Sequence, residues 1–415
     1  MQALVFNITP ALWISTRLRA ALTGAKAFWG PSGPLRLRQV ERPTLPGAGW
    51  VLCRTRLGGI CGTDLAMVRL RQRPDTLLTA YSSMPMIPGH ENVADVVEAG
   101  DDAGRAWLGK RVCVDPTLGC IARGVEPPCP RCLQGQWGSC ENFDGHAGRL
   151  GLPAGSCIGY NSRTGGSWGE YFVAPVSGLI EVPAGLSDRA AVLTDPLAVG
   201  LHGVLRSPWP QARRACILGG GILGLAVTAA LRAVGFDRPI DMVARHEFQR
   251  ALARRLGINW TGDERALADM SALARQTGGR VVRPRLGRVA LADGYDLVFD
   301  CAGSPDSFST ALRLAAGRGC VVLVGTGGAG HIDPTPIWFR ELTVLGGSGR
   351  QLETWQGRPV HTYALVHELM QAGKLPGEEL LTHTFTLADY RLAFDTATGK
   401  GRTGCVKAAL AFAAG

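Results

Sequence analysis

The alternation of buried strands and helices that begins at Ala215 limits the fold more than any other feature of this sequence. The segments ACILGG, RPIDMVA, YDLVFDCAG and GCVVLVG have the apolar composition of buried strands, whereas GILGLAVTAALRAVG, EFQRALARRLG and SFSTALRLAAG have helical periodicity. Strands that alternate with helices predict a parallel sheet covered by helices on both faces. We therefore predict an α/β doubly wound domain over residues 186–345.

A glycine pattern, G-x-G-x-x-G, lies where the first of these strands meets its helix, at Gly219, Gly221 and Gly224. The first glycine allows a sharp turn, the second lets a pyrophosphate approach the backbone, and the third lets the helix pack closely on the strand. Free N–H groups at the helix N-terminus add donors and partial positive charge for phosphates. We predict that the loop, including Ile222 and Leu223, binds a dinucleotide.

The end of the second strand indicates which dinucleotide is used. NAD sites usually carry an acidic residue there to hold the ribose 2′-hydroxyl, whereas this chain has Ala244 followed by Arg245. A guanidinium group suits a 2′-phosphate, and Arg250 lies about one helical turn further on, where it can assist. The pattern favours NADP over NAD. The alternative is that Arg245 is simply exposed and that both cofactors are accepted.

A catalytic metal is predicted from Cys61 in GGICGTDL and from His90 and Glu91 in PGHENV, which lie beside glycines in predicted turns. Thiolate and imidazole are good zinc ligands, and a catalytic zinc takes three protein ligands and leaves a fourth position open. Our candidate for the third ligand is Asp195, because a carboxylate just before a proline can stand free at a helix entrance. The alternative is His202, seven residues further on.

The residues around this site have expected roles in hydride transfer between an alcohol and nicotinamide, which zinc promotes as a Lewis acid. Thr63, two residues after Cys61, is a candidate to pass the proton of the substrate oxygen. Asp64 is expected to accept a hydrogen bond from the distal nitrogen of His90 and so to fix its tautomer. The charge of Glu91 is expected to tune the metal or to assist ligand exchange.

A second zinc site, of structural type, is predicted from Cys129, Cys132 and Cys140. Four thiolates make a closed tetrahedral site with no room for substrate. Cys120 is the expected fourth ligand, and Glu126 is the other option. Twelve cysteines that include such a cluster, in a chain of 415 residues, favour a reduced, cytoplasmic compartment over disulfides.

The remaining features limit domains and partners. Residues 1–185 carry short apolar runs punctuated by glycine and proline, which predict strands and turns, and mixed strand and helix return over 346–415. The net charge of +10 comes from scattered basic residues without interleaved aromatics, so we expect no nucleic-acid partner. Residues 11–22 are too short and too charged to span a membrane and predict an amphipathic helix, with weak membrane-surface attachment as the alternative.

The motifs together resemble the zinc-containing alcohol, polyol and threonine dehydrogenase branch of the medium-chain dehydrogenase/reductase superfamily. The matching stretches span nearly the whole chain in the expected order: GGICGTDL, PGHE, the Cys129–Cys140 cluster, GGSWGEYFVAP, LTDPLAVGLHGV, GGGILG, DLVFDCAG, ELTVLGGSG and GRTGCVK. The resemblance implies a GroES-like β-barrel catalytic domain, built from both termini around a Rossmann domain. It also implies an active site in the interdomain cleft, a zinc-dependent NAD(P)-linked alcohol dehydrogenase activity, and a homodimer or homotetramer.

The sequence departs from the family pattern at several positions. Asp195 stands where many members have cysteine or glutamate, and Ala66 stands where members often have the histidine of a proton relay. The first structural cysteine is usually separated from the next by two residues, whereas eight residues lie between Cys120 and Cys129. Residues 10–30 and 280–288 do not match the pattern and are interpreted as insertions.

Two rival hypotheses remain beside the zinc dehydrogenase. One keeps the fold without the metal, as in zinc-free quinone or enone reductases, and the other is a non-catalytic nucleotide-binding protein. The retained zinc ligands argue against both. The small-molecule substrate is not identified by the sequence, and the candidate pocket residues are Met86, Trp137, Phe143 and Trp338.

Overall fold

The computed structural model describes residues 1–413 and divides the chain into two compact units. The first unit comprises Met1–Asp195, Arg350–His367 and the chain from Gly377 onward, and the second comprises Pro196–Gly349 and Glu368–Pro376. Each unit therefore combines segments that are far apart in the sequence.

The strands and helices follow in chain order. The strands are β1 Gln2–Phe6, β2 Leu35–Gln39, β3 Trp50–Gly59, β4 Asn92–Ala99, β5 Arg111–Val114, β6 Tyr171–Pro175, β7 Leu179–Glu181, β8 Ala215–Leu218, β9 Ile240–Val243, β10 Trp260–Gly262, β11 Arg280–Val282, β12 Ala290–Ala292, β13 Tyr295–Asp300, β14 Ala315–Leu323, β15 Thr343–Gly346, β16 Leu352–Trp355, β17 Arg358–His361, β18 Leu381–Thr386 and β19 Lys407–Ala411. The α-helices are α1 Pro10–Thr23, α2 Lys26–Trp29, α3 Gly62–Val68, α4 Leu77–Ala80, α5 Asp102–Arg105, α6 Cys120–Arg123, α7 Pro130–Leu133, α8 Asp188–Ala191, α9 Thr194–Arg206, α10 Ile222–Ala233, α11 Glu247–Arg255, α12 Ala266–Asp269, α13 Ser271–Thr277, α14 Pro305–Leu314, α15 Thr335–Phe339, α16 Thr362–Gln371, α17 Tyr390–Thr398 and α18 Lys400–Thr403. Short 3-10 turns occupy Trp137–Ser139, Val176–Gly178, Trp209–Gln211 and Glu378–Leu380.

The second unit contains a six-stranded sheet in the order β10-β9-β8-β13-β14-β15, and every neighbouring pair is parallel. When only the six strands of this sheet are numbered in chain order, this is the order 3-2-1-4-5-6 of a doubly wound dinucleotide-binding fold. The central strand β8 is apolar and buried at all four positions, as expected for a parallel strand that is covered on both faces. The predicted α/β doubly wound sheet is confirmed.

The first unit contains a seven-stranded sheet in which β3 is the centre. Strand β3 pairs antiparallel with β4, β6 and β19, and the chain between β4 and β6 forms the loops that carry the cysteine cluster. Apolar side chains from these strands, among them Trp50, Val96 and Phe172, form one buried core. Because β19 comes from the end of the chain, both ends of the sequence contribute to this barrel-like sheet.

Residues 10–30 and 280–288, which we interpreted as insertions, form local structure. Helix α1 begins after Thr9, whose hydroxyl accepts a hydrogen bond from the Leu12 amide, and ends at Gly24. Strands β11 and β12 form a small antiparallel hairpin around the arginine-rich segment. Among residues 1–413, no helix is long and apolar enough to cross a membrane.

Candidate active site and metal centres

Cys61, His90 and Glu91 come together in the first unit, and their ligand atoms all lie within 4.8 Å of one another. Cys61 precedes the first turn of α3, and His90 and Glu91 immediately precede β4. Gly89 makes the turn before His90 with φ of +95°, and a Cβ there would meet Trp168 at 2.5 Å. The PGHE stretch therefore needs its glycine to direct the two ligand candidates inward.

The donor set of this cluster fits a catalytic zinc. Sulfur, imidazole nitrogen and carboxylate oxygen are the three zinc-binding donors of proteins, and three of them leave one position for substrate. His90 and Glu91 are buried and Cys61 is partly buried, so the three candidate ligands are largely shielded from solvent.

Asp64 lies where the sequence predicted it, beside His90. Its Oδ1 is 3.2 Å from His90 Nδ1, although the geometry at this nitrogen does not meet that of a hydrogen bond. The Tyr160 hydroxyl donates to the same Asp64 oxygen at 2.9 Å. Asp64 is fully buried, and its carboxylate lies against the Nδ1 side of the His90 ring.

Glu91 forms a buried ion pair with Lys407, which is the first residue of β19. Burial raises the pKa of the Glu91 carboxyl group above its ordinary value, and the Lys407 ammonium group opposes this shift. A Cβ on Gly59 would meet Glu91 Oε2 at 2.1 Å, so glycine at this point of β3 makes room for the carboxylate.

The expectation that the Asp195 carboxylate stands free is wrong, whereas its role as a zinc ligand stays a prediction. The carboxylate lies in the first turn of α9, where it is buried. Its Oδ1 accepts hydrogen bonds from Arg350 Nε at 2.9 Å and from the Tyr363 hydroxyl at 2.5 Å. Burial favours the neutral form, but Arg350 outweighs it, so the pKa of Asp195 is lowered.

The other oxygen of Asp195, Oδ2, lies 3.9 Å from His90 Nε2. Asp195 is nevertheless not part of the group whose ligand atoms all lie within 4.8 Å of one another. His202, the alternative third ligand, is buried on α9 and is not part of that group either. Thr63 lies in the first turn of α3, two residues after Cys61, and is partly exposed.

The four cysteines Cys120, Cys129, Cys132 and Cys140 form a second cluster, with all four sulfur atoms within 4.8 Å of one another. Cys120 Sγ lies 3.6 Å from Cys140 Sγ and accepts hydrogen bonds from the Cys129 amide and the Asn142 side chain. Hydrogen bonding from Cys132 and from the Asn142 amide lowers the pKa of the Cys140 thiol to about 5. Four buried sulfurs, with amides directed at them, fit a structural zinc.

Glu126, the alternative fourth ligand, is exposed and forms an ion pair with Arg149. A buried arginine that the sequence analysis did not single out lies in α6, beside the cysteine cluster. Arg123 donates to the carbonyl oxygens of Leu118, Leu152 and Gly155 at 2.6–2.9 Å, with no carboxylate partner among residues 1–413. The thiols of Cys140 and Cys120 are nearby groups of opposite charge when ionised.

In the second unit, the glycine loop has the geometry that its sequence predicts. Gly219 has φ of +100°, which turns the chain sharply after β8. A Cβ on Gly224 would meet the Gly219 carbonyl oxygen at 1.9 Å, so the close helix–strand packing needs glycine there. A Cβ on Gly221 would meet nothing within 4 Å, so the space before the N-terminus of α10 is open to a pyrophosphate. Ile222 and Leu223 form the first turn of this helix.

The end of β9 carries the two arginines predicted to select the cofactor. Arg250 donates to the Ala244 carbonyl at 2.7 Å and pairs with Glu247, which fixes its side chain near the strand end. Arg245 is exposed and pairs with Glu264 at 2.6 Å. An exposed ion pair contributes little free energy, so a phosphate can displace Glu264 from Arg245.

The sequence did not single out several residues of the sites. Lys407, Arg350 and Tyr363 contact the candidate ligands, yet each lies at least 155 residues from its partner. Lys407 is the last residue of GRTGCVK and Arg350 directly follows ELTVLGGSG, so both lay at the ends of stretches that carried the resemblance.

The candidate pocket residues have mixed environments. Met86 is buried in the first unit's hydrophobic core, and Phe143 packs with the cysteine cluster. The Trp137 ring stacks on His361 with centroids 5.4 Å apart, and Trp338 in the second unit is exposed. Core packing therefore accounts for Met86 and Phe143.

Comparison with known families matches both parts of the chain. The profile of the alcohol dehydrogenase GroES-like domain matches residues 47–184, and that of the zinc-binding dehydrogenase family matches residues 223–361. Together these ranges contain the cysteines of both candidate metal sites, the PGHE stretch and most of the parallel sheet.

Similar proteins extend the match over nearly the full length. An L-threonine 3-dehydrogenase of Shewanella baltica is 26% identical over 387 residues, which is 93% of this chain and 97% of the relative. A sorbitol dehydrogenase of Arabidopsis thaliana is 27% identical and covers 83% of this chain and 84% of its own. The solved structure of a zinc-binding dehydrogenase from Sinorhizobium meliloti bound to NADP has a TM-score of 0.68 and 26% identity, covering 91% of this chain and 96% of its own. With the fold, the motifs and the family profiles in agreement, this chain belongs to the zinc-containing medium-chain dehydrogenase/reductase superfamily.

Proposed function

We propose that this protein is a zinc-dependent dehydrogenase that transfers a hydride between an alcohol or polyol and NAD(P), with NADP preferred and with the aldehyde or ketone as substrate in the reverse direction. The observation that carries this proposal is the convergence of Cys61, His90 and Glu91 within 4.8 Å, in a chain that also holds a G-x-G-x-x-G loop. Metal ligands with an open position and a dinucleotide site are the two components that the reaction needs.

We assign Cys61, His90 and Glu91 as the catalytic zinc ligands in preference to the set with Asp195. Glu91 contributes a ligand atom to the cluster, whereas Asp195 Oδ1 is already engaged by Arg350 and Tyr363. Asp195 Oδ2, 3.9 Å from His90 Nε2, remains close enough to act on the site as a neighbouring charge. When bound, the metal supplies Lewis-acid polarisation of the substrate oxygen.

The chain's own residues position and tune this site. Asp64 faces His90 Nδ1 and favours the tautomer that carries its proton on Nδ1. In this tautomer the lone pair of Nε2 is available to the metal. Lys407 holds the Glu91 carboxylate and compensates its buried charge. Thr63, two residues after Cys61, is assigned to pass the proton of the substrate oxygen. Because Ala66 stands in place of a relay histidine, the proton then leaves through water.

The cysteine cluster is proposed as the second, structural zinc site, with Cys120, Cys129, Cys132 and Cys140 as ligands. The twelve cysteines are unpaired in the structure, which supports a reduced, cytoplasmic compartment. We assign catalysis to residues 1–185 and 346–415 and dinucleotide binding to 186–345, and we propose a homodimer or homotetramer, as the resemblance implies.

The NADP preference rests on Arg245 and Arg250 near the end of β9. At that strand end the chain has Ala244 instead of the acidic residue that is usual in NAD sites. Arg250 is fixed by its bond to the Ala244 carbonyl, and Arg245 is held only by an exposed ion pair. A 2′-phosphate gains charge-assisted hydrogen bonds from both.

A cofactor-reduction screen tests the proposed function. The purified protein is offered NADP and NAD with secondary alcohols, polyols and L-threonine, since relatives are named for sorbitol and threonine, and nicotinamide absorbance is followed. Turnover that stops on zinc removal and returns with added zinc is expected. Turnover of quinones or enones without zinc, or cofactor binding with no turnover across the screen, would contradict the proposal.

A further inference from the structure

Helix α1 exposes a row of apolar side chains to solvent. Ile14, Leu18 and Leu22 follow one another at intervals of four residues, and 56%, 67% and 87% of their surfaces are exposed. The opposite side of the helix faces the protein through Leu12 and Thr16. Scattered apolar side chains on a surface need no explanation, but an apolar row on one helix face indicates a binding surface.

The segment around this helix carries only positive charge. Residues 1–40 contain five basic side chains and no aspartate or glutamate, although the chain has 34 acidic residues among 415. Arg17 lies over the Trp13 ring, with 5.5 Å between its guanidinium carbon and the ring centroid, at the edge of the apolar row. An apolar helix face bordered by arginine is the pattern of a helix that lies in a lipid interface.

A cleft of about 390 Å³ beside this helix concentrates more of the charge. It is lined by Arg36 and Arg38 of β2 and by Tyr390 and Arg391 of α17. Within residues 1–413, none of these three arginines forms an ion pair with a carboxylate. Arg391 is fixed by its Nε bond to the Trp29 carbonyl, and Arg36 by its Nε bond to the Gly33 carbonyl, which leaves their terminal nitrogens available.

The cleft and the helix are linked through the loop that joins α2 to β2. Arg19 of α1 donates to the Ser32 carbonyl at 2.8 Å, and Ser32 directly follows Pro31, which lines the cleft. The loop that joins α2 to β2 therefore connects helix α1 to the wall of the arginine cleft. Helix α1, the loop and β2 all precede residue 47, where the GroES-like family match begins. Only the α17 side of the cleft comes from a later part of the chain.

We infer that this surface, formed by α1 and the arginine cleft, attaches the protein to an anionic membrane. The apolar row enters the boundary between lipid headgroups and acyl chains, and the cleft arginines bind lipid phosphates, which guanidinium groups contact through paired hydrogen bonds. The attachment is peripheral and does not depend on the proposed catalysis.

The positive charge of this surface favours a membrane over a second copy of the chain as its partner. A symmetric contact would place α1 against α1 and bring together two segments that each carry five basic residues and no acidic one. Like charges at such an interface oppose association, whereas phosphatidylglycerol-type headgroups supply the missing negative charge.

Vesicle co-sedimentation tests the inference on the full chain. The probes are phosphatidylcholine vesicles with about 30 mol% phosphatidylglycerol and vesicles of phosphatidylcholine alone. Wild-type protein is expected to bind the anionic vesicles and to dissociate with added salt. The Leu18→Asp/Leu22→Asp variant is expected to lose binding at least about tenfold, and Arg38→Gln about fivefold.

Leu286→Asp is the matched control, because Leu286 is also highly exposed but lies on the second unit, and its binding is expected to equal that of wild type. Zinc content of each variant verifies that it is folded. Equal binding to both vesicle types, no binding to either, or an equal loss in the control would overturn the inference. Displacement from the vesicles by millimolar inorganic phosphate would also overturn the inference, because it would assign the cleft to a free phosphate ligand. A smaller molar mass of the Leu18→Asp/Leu22→Asp variant than of wild type, measured without vesicles, would overturn it as well, because it would assign the surface to self-association.

Discussion

Lys407 and Glu91 form an ion pair in which both side chains are almost completely buried, with 2% and 1% of their surfaces exposed. The two residues are 316 positions apart in the sequence and meet because β19 returns beside β3. A buried charge is costly unless a partner compensates it, so this pair allows a carboxylate to lie inside the protein at the proposed zinc site.

Removal of one partner is expected to be strongly destabilising. Lys407→Met leaves the Glu91 carboxylate uncompensated, and the free energy of unfolding is expected to fall by about 3–5 kcal/mol, as for other broken buried pairs. Lys110→Met is the matched control, because Lys110 forms an exposed pair with Glu181, and its loss is expected to stay below about 1 kcal/mol. Urea unfolding measures both. Equal losses would show that the buried pair has no special role.

The features that the sequence predicted correctly are local. Gly219, Gly221 and Gly224 form their turn within a stretch of six residues. The apolar runs ACILGG and RPIDMVA predicted buried strands, which the structure has as β8 and β9. The resemblance then added the GroES-like fold, which the family match supports. Cysteine spacing likewise brought out the four-sulfur cluster, although Cys120 departs from the usual spacing.

The features that the sequence could not predict are long-range pairs of charges. Asp195 was expected to be free because it lies just before a proline at a helix entrance, but Arg350 and Tyr363, 155 and 168 residues away in the sequence, bind its carboxylate. Nothing in the local pattern of a lysine or an arginine shows which distant carboxylate it meets. Sequence reasoning therefore found the ligand types and left their charge partners unassigned.

Cofactor selectivity is expected to depend on Arg245. Arg245→Ala removes a guanidinium group from the end of β9, so kcat/KM for NADP is expected to fall about 10- to 100-fold, as for the loss of a charge-assisted hydrogen bond. The value for NAD is expected to change little. Arg213→Ala, which removes another exposed, ion-paired arginine of the second unit, is the control. Equal losses with NADP and NAD would contradict the assignment.

The structural zinc site is expected to depend on Arg123, whose guanidinium group forms no direct ion pair with a carboxylate among the described residues and donates to backbone carbonyl oxygens instead. Arg123→Met removes the donors to several buried carbonyl oxygens and the positive charge near the thiolates. We expect faster release of one zinc per chain to a chromogenic chelator, together with lower stability. Arg131→Met, on the exposed side of α7, should release zinc at the wild-type rate. Unchanged release in the Arg123 variant would exclude this role.

A pH effect is expected from His367, whose Nε2 lies 2.9 Å from the Thr194 hydroxyl. Burial lowers its pKa to about 4, below the unfolded value of 6.5. Between these values the unfolded chain binds a proton that the folded chain does not, so stability falls as pH drops from 6.5 to 4. The slope contribution reaches at most about 1.4 kcal/mol per pH unit.

The His367→Gln variant tests this effect by urea unfolding at several pH values between about 4 and 6.5. Its unfolding free energy should vary less with pH than that of wild type, while the exposed His331→Gln control keeps the wild-type dependence. A dependence that is the same in all three proteins would assign it to other groups.

The number of zinc ions bound by the purified chain and by its Cys61→Ala variant tests the central claim most directly. Elemental analysis is expected to give two zinc ions per wild-type chain and one in Cys61→Ala, with two retained in Cys320→Ala, which removes a buried thiol from β14. Retention of both zinc ions in Cys61→Ala, or wild-type protein that binds zinc only at the four-cysteine cluster, would contradict the proposed catalytic site.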